Sequence, residues 1–194
     1  RIASSSDDAE EVSGTGVVTL DNQYLTMATT FGSGSGVIDK RVSQGVDDAE
    51  EQPDTPRVYV TSSDLELMAE SGRVSQTIGI RFRNIDIPVG ATIVSASLEL
   101  TVDEQSGNAN DPIGINIFAE ADDSGEFNPL DSTNISTRTK TGNSITWKIT
   151  DPSPANGDIL SSPELKDVVS DVVGAGTWAS GNALTFILEH SSGT

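Results

Sequence analysis

Residues 94–102 read Val-Ser-Ala-Ser-Leu-Glu-Leu-Thr-Val, and this stretch decides the fold. Val94, Ala96, Leu98, Leu100 and Val102 alternate with Ser95, Ser97, Glu99 and Thr101. A period of two puts all the apolar groups on one face of a β-strand, whereas a helix would scatter them around its axis. The same alternation recurs outward in both directions. Ile78, Ile80 and Phe82 alternate with Gly79, Arg81 and Arg83, and Ile113, Ile115 and Ile117 with Gly114, Asn116 and Phe118. Ile145, Trp147 and Ile149 flank Thr146 and Lys148, and Leu184, Phe186 and Leu188 form the last such run. Turn chemistry separates the runs at Pro88-Val89-Gly90, Ser106-Gly107-Asn108, Ser124-Gly125 and Asn156-Gly157. Short strands joined by Gly and Pro turns predict an all-β, antiparallel, jelly-roll-like β-sandwich. A short helix is predicted over 163–173, capped by Ser162 with Pro163 at its first position, and placed over one end of the sandwich.

Composition narrows the function. Thirty acidic against eleven basic residues give a net charge of −19, which repels nucleic acid and anionic membranes and attracts cations. No apolar stretch has the roughly 18–20 residues of a membrane-spanning helix. There is no cysteine, so disulfides and thiolate metal sites are excluded. The chain opens at Arg1 without methionine or signal peptide and reads as a piece of a processed precursor. Acidity with abundant Ser, Thr and Asp points to an extracellular or cell-surface home.

An internal repeat sets the expected domain organisation. Arg1 opens RIASSSDDAEE and Arg41 opens RVSQGVDDAEE, so that 7–11 match 47–51. The likeness continues from Val17-Val18-Thr19 onto Val58-Tyr59-Val60, and from Met27-Ala28 onto Met68-Ala69. The expected division is an N-terminal extension over 1–31 bearing a donor-type strand, a Gly/Ser-rich linker over 32–40, and a sandwich over 41–194.

The order IGIRFRNIDIPVGATIVSASLELTV, then SITWKI, a helix and TWASGNALTFILE resembles the DNRLRE or disaggregatase-related domains, over about 41–190. Arg81-Phe82 before the turn, and Pro88 with Gly90-Ala91-Thr92 after it, carry the resemblance. It implies a secreted, often tandem β-sandwich similar to carbohydrate-binding modules. Domains of this kind close with a further strand introduced by an Arg-x-Ala-x-Ser-like stretch, which Arg1 to Ser5 resemble.

Three acidic clusters offer hard oxygen ligands suited to calcium: Asp7, Asp8, Glu10 and Glu11; Asp47, Asp48, Glu50 and Glu51; and Asp122, Asp123 and Glu126 with Glu120. The alternative is solvated acidic loops, since none has the spacing of an EF-hand. Arg81, Arg83, Arg138, Lys140 and Lys148 are candidates for binding an anionic polysaccharide, against the simpler reading that they offset nearby carboxylates. Trp147 and Trp178 are expected in the core, leaving Tyr24, Tyr59 and Phe118 as exposed aromatics. Asn134-Ile135-Ser136 fits a glycosylation acceptor. The single His190 has no nucleophile motif around it, so no enzyme is expected.

These readings converge on a structural or adhesive protein that assembles with itself or with neighbouring repeats, by exchange of a strand comprising Val17, Val18, Leu20, Tyr24, Leu25 and Met27. A carbohydrate-binding module for anionic polysaccharide is the alternative.

Overall fold

Two antiparallel sheets pack face to face in a computed structural model that describes residues 17–54, 57–61, 65–67, 75–106, 113–123, 125–150 and 154–191. The chain is an all-β sandwich with one short helix, as the alternation predicts. In chain order the strands are β1 (Val17–Phe31), β2 (Gly34–Arg41), β3 (Asp48–Gln52), β4 (Arg57–Tyr59), β5 (Leu65–Glu66) and β6 (Thr77–Phe82). They continue with β7 (Thr92–Ser106), β8 (Ile113–Ala119), β9 (Ile145–Ile149), β10 (Ile159–Ser161) and β11 (Leu184–His190); the helix α1 is Lys166–Val173. The first sheet runs β10-β7-β1-β2, with β5 pairing the start of β1. The second runs β4-β3-β6-β11-β8-β9.

Between the sheets lies the main core. Leu25 and Met27 of β1, with Ala96, Leu98, Leu100 and Val102 of β7, share one buried cluster with Ile78, Ile80, Phe82, Ile115, Ile117, Phe186 and Leu188 of the second sheet. Phe82 and Phe186 meet edge to face, with ring centroids 6.2 Å apart. Trp147 and Trp178 are buried as expected, and the Trp178 indole N–H donates to the Ile87 carbonyl at 3.0 Å.

The structure shifts the deciding strand at one residue. Val94 is half exposed and Ile93 takes the buried position. Ala28 opposes Ser95 while Thr29 opposes Ile93, so Val94 is the extra residue of a β-bulge, and the alternation slips by one at that point.

The expected linker is also corrected. Gly32-Ser33 forms a two-residue loop between Phe31 and Gly34, and Gly34–Arg41 is strand β2, paired with β1 from Tyr24↔Arg41 to Phe31↔Gly34. Gly32 has φ +58°, the conformation needed at the first central position of a type II′ hairpin turn. Glycine and serine therefore make a tight hairpin here, because Val37, Ile38 and the residues after them extend it into a ladder.

The helix begins later than predicted. Residues 159–165 first run along β7: Leu98 N–H donates to Ser162 Oγ at 3.0 Å, and Ser162 and Leu165 N–H donate to the Leu98 and Ala96 carbonyls. Ser162 and Pro163 thus lie outside α1, and Glu164 Oε1 accepts from Lys166 N–H at 2.9 Å and Ala96 N–H at 2.7 Å. The helix buries Val168, Val169, Val172 and Val173 in the main core.

Candidate functional site

The two outer faces of the sandwich differ, and the difference decides where a ligand can sit. On the outer face of the second sheet, Ala49, Gly79, Ile187 and Phe118 form one cross-strand row through β3, β6, β11 and β8. Residues 125–141, from the connection between β8 and β9, fold over this row. Phe127 and Ile135 join Ala49, Val58, Val60 and Ile187 in a second buried cluster, with Val46 and Phe118 packed against it. The Phe127 ring lies directly on Gly79, where an added Cβ would sit 2.3 Å from Cζ.

The charged residues of the sequence reading meet at this covered face. Asp47 is fully buried; one carboxylate oxygen accepts from Arg81 Nη1 at 3.1 Å and the other from Arg83 Nε. Asp123 Oδ1 accepts from Arg81 Nη2 at 3.3 Å, and Glu126 Oε1 from Arg83 Nη2 at 2.7 Å. These partners hold the Arg83 guanidinium above its usual pKa, the Asp47 hydrogen bond being the largest cause. Arg138 uses its whole donor fork. Nη1 reaches Glu120 Oε2 at 2.8 Å and the Gly125 carbonyl at 3.0 Å; Nη2 reaches the Glu126 carbonyl and Asn134 Oδ1 at 3.1 Å; Nε reaches the Asn134 carbonyl at 2.9 Å. Its guanidinium also stacks 4.5 Å from the Phe127 ring centroid.

The acidic repeat copy has a structural role here. Glu51 Oε2 accepts from the Ile135 and Ser136 backbone N–H groups at 2.8 and 2.9 Å, tying the covering segment to β3. Glu50 Oε1 accepts from Glu66 N–H. Asp48 starts β3, half-buried. Asp122 is exposed. Among the described residues no group of three or more His, Asp or Glu side chains is arranged to hold a metal. Asp7, Asp8, Glu10 and Glu11 lie outside the described residues.

The basic candidates are dispersed into pairs. Arg81 faces outward as alternation requires, yet it is buried, because the outer face carries a further layer. Lys140 pairs with Glu189 at 3.1 Å and donates to the Ser136 carbonyl at 2.8 Å. Lys148 is exposed on β9, away from this cluster. Asn134 is itself held in place: its Oδ1 accepts from Asn128 N–H and Arg138, and its Nδ2 donates to Asp131. A sequence signal for the added layer exists in the run Phe186-Ile187-Leu188 and in Phe118, which break the polar alternation expected of a solvated outer face.

The first sheet's outer face carries no comparable layer among the described residues. It presents Tyr24, Thr26 and Ala28 of β1, and Ser95, Ser97, Glu99 and Thr101 of β7, all partly exposed. The Arg41 guanidinium stacks 5.7 Å from the Tyr24 ring centroid. Tyr59 and Phe118, the other aromatic candidates, belong to the second sheet and are half-buried.

Fold and geometry together define a two-sheet β-sandwich with one outer face covered in part by residues 125–141 and the other open among the described residues. Comparison with family models, curated proteins and solved structures found no match.

Proposed function

We propose that this chain is a non-catalytic, extracellular structural or adhesive module that associates with copies of itself, or with neighbouring repeats, by exchanging its N-terminal β1–β2 hairpin. One observation carries the reading. β1 is an interior strand of the first sheet, paired with β7 from Val17↔Ser106 to Thr30↔Thr92, and residues 42–44 link the hairpin to the strands that follow it. Gln44 is extended, with φ −141° and ψ 141°. A hairpin delivered by a second copy would make the same ladder and bury the same Leu25 and Met27, so exchange costs little beyond rearranging the hinge. The two copies of the repeat fit this use, since their strands do different work. Val58 sits in β4 of the second sheet, whereas Val17 and Val18 sit in β1 of the first.

Disulfide trapping tests the proposal in a chain that has no cysteine of its own. Thr26 and Ser97 are register partners on the open face, so the Thr26→Cys/Ser97→Cys chain links within one molecule if the hairpin stays at home, and between molecules if it is exchanged. Oxidation at high protein concentration, with calcium and with chelator, is expected to give a covalent ladder on a non-reducing denaturing gel, absent from both single-cysteine controls. Monomeric, internally linked chain under every condition would refute hairpin exchange.

A further inference from the structure

Strand β2 is a free edge of the first sheet among the described residues. Its eight residues make it longer than the other edge strands, β10, β4 and β9, which have three, three and five. Edges are usually short or charged, because unpaired backbone groups template another strand. Residues 34–37, by contrast, are Gly-Ser-Gly-Val, uncharged and exposed, with Val37 76 % exposed. One bond fixes which backbone groups are free: Val42 N–H donates to the Gln23 carbonyl at 3.1 Å. Bonded residues alternate along an antiparallel strand, so Gly34, Gly36, Ile38 and Lys40 turn toward β1. Ser35, Val37, Asp39 and Arg41 turn their N–H and C=O groups outward.

The side chains alternate in the other direction. Leu25, Met27 and Thr29 are buried, and directly opposed residues share a face, so their partners Lys40, Ile38 and Gly36 lie on the side between the sheets. Gly36, with Gly34 beyond it, leaves that side unfilled. A groove of about 470 Å3 runs along β2 there, lined also by Phe31, Asp86 and Pro88.

We infer that β2 pairs antiparallel with β2 of a second copy, about a two-fold axis at Val37. Outward-turned residues must meet outward-turned residues, and this axis sets Val37 against itself and Ser35 against Asp39 of the second copy. Centring on Asp39 would oppose two carboxylates, and centring on Ile38 would set Val37 against Asp39, whereas centring on Val37 covers an exposed apolar side chain with its own copy. Shape and charge agree inside the groove. Ile38 and Lys40 of each copy come opposite Gly36 and Gly34 of the other, which leave them room. Lys40 thereby enters the groove that Asp86 of the second copy lines, and neither Lys40 nor Asp86 has an ion pair among the described residues. The contact closes as a dimer and is independent of hairpin exchange, since β2 is the edge whichever copy supplies the hairpin.

Sedimentation equilibrium of the full chain tests it, in about 0.15 M salt to screen the repulsion between two chains of net charge −19. A concentration-dependent dimer is expected. Val37→Lys and Val37→Glu each oppose like charges at the axis and should weaken the dimer at least about tenfold, while an equimolar mixture of the two should restore it. The inference is overturned by a natural chain that stays monomeric, by Val37→Lys associating as the natural chain does, or by a mixture no tighter than either variant. Association that survives Val37→Lys belongs to hairpin exchange; a Thr26→Cys/Ser97→Cys chain that links only internally and still dimerises refutes exchange and leaves edge pairing standing.

Discussion

Arg138→Ala is expected to destabilise the fold by about 3–5 kcal/mol in equilibrium denaturant unfolding, because it breaks the buried ion pair between Arg138 and Glu120. The two side chains are 3 % and 1 % exposed and meet at 2.8 Å. Removing the guanidinium also strips donors from the Gly125, Glu126 and Asn134 carbonyls, and takes away the surface against which Phe127 packs. Arg138→Lys keeps the charge but offers a compact ammonium in place of a planar five-donor fork, so it should recover only part of the loss. Burial leaves the pair poorly screened, and the cost should persist at high salt. A loss below about 1 kcal/mol, the range of exposed pairs, would show that Arg138 does not clamp the covering segment.

Gly79→Ala attacks the same layer from beneath. Its Cβ would lie 2.3 Å from Phe127 Cζ and 2.6 Å from Cε1, closer than atoms can approach. Arg138 stacks on the same ring, 4.5 Å from its centroid, which limits how far the ring can move. Overpacking a well-filled site costs about 1–3 kcal/mol, and the upper end is expected here. Phe127→Ala removes the obstacle, so in that background Gly79→Ala should cost almost nothing. That non-additivity, read from a double-mutant cycle, separates a steric clash from a glycine backbone requirement. Additive losses would count against the clash.

Both predictions concern a layer that alternation does not reveal. The period-two runs identify which residues of β6, β7, β8 and β11 face between the sheets, and the burial of Ile78, Ile80, Phe82, Leu98, Leu100, Ile115, Ile117, Phe186 and Leu188 follows them. Alternation assigns a residue to one face of a sheet without saying what covers that face. Arg81 and Arg83 therefore read as surface cations, whereas a segment more than forty residues further along the chain brings Asp123 and Glu126 to them. The acidic stretch 47–51 was equally legible as charge and illegible as structure, since its partners Arg81, Ile135 and Ser136 are distant in sequence.

Local sequence thus determined the sandwich, because strand alternation, turn residues and an apolar helical stripe act over a few residues. The Val94 phase slip, the Gly32-Ser33 hairpin and the late start of α1 were decided by what each segment pairs with across the sheet. So was the contrast between a partly covered and an open face: ion pairs and cross-strand rows join residues that only the folded chain makes neighbours.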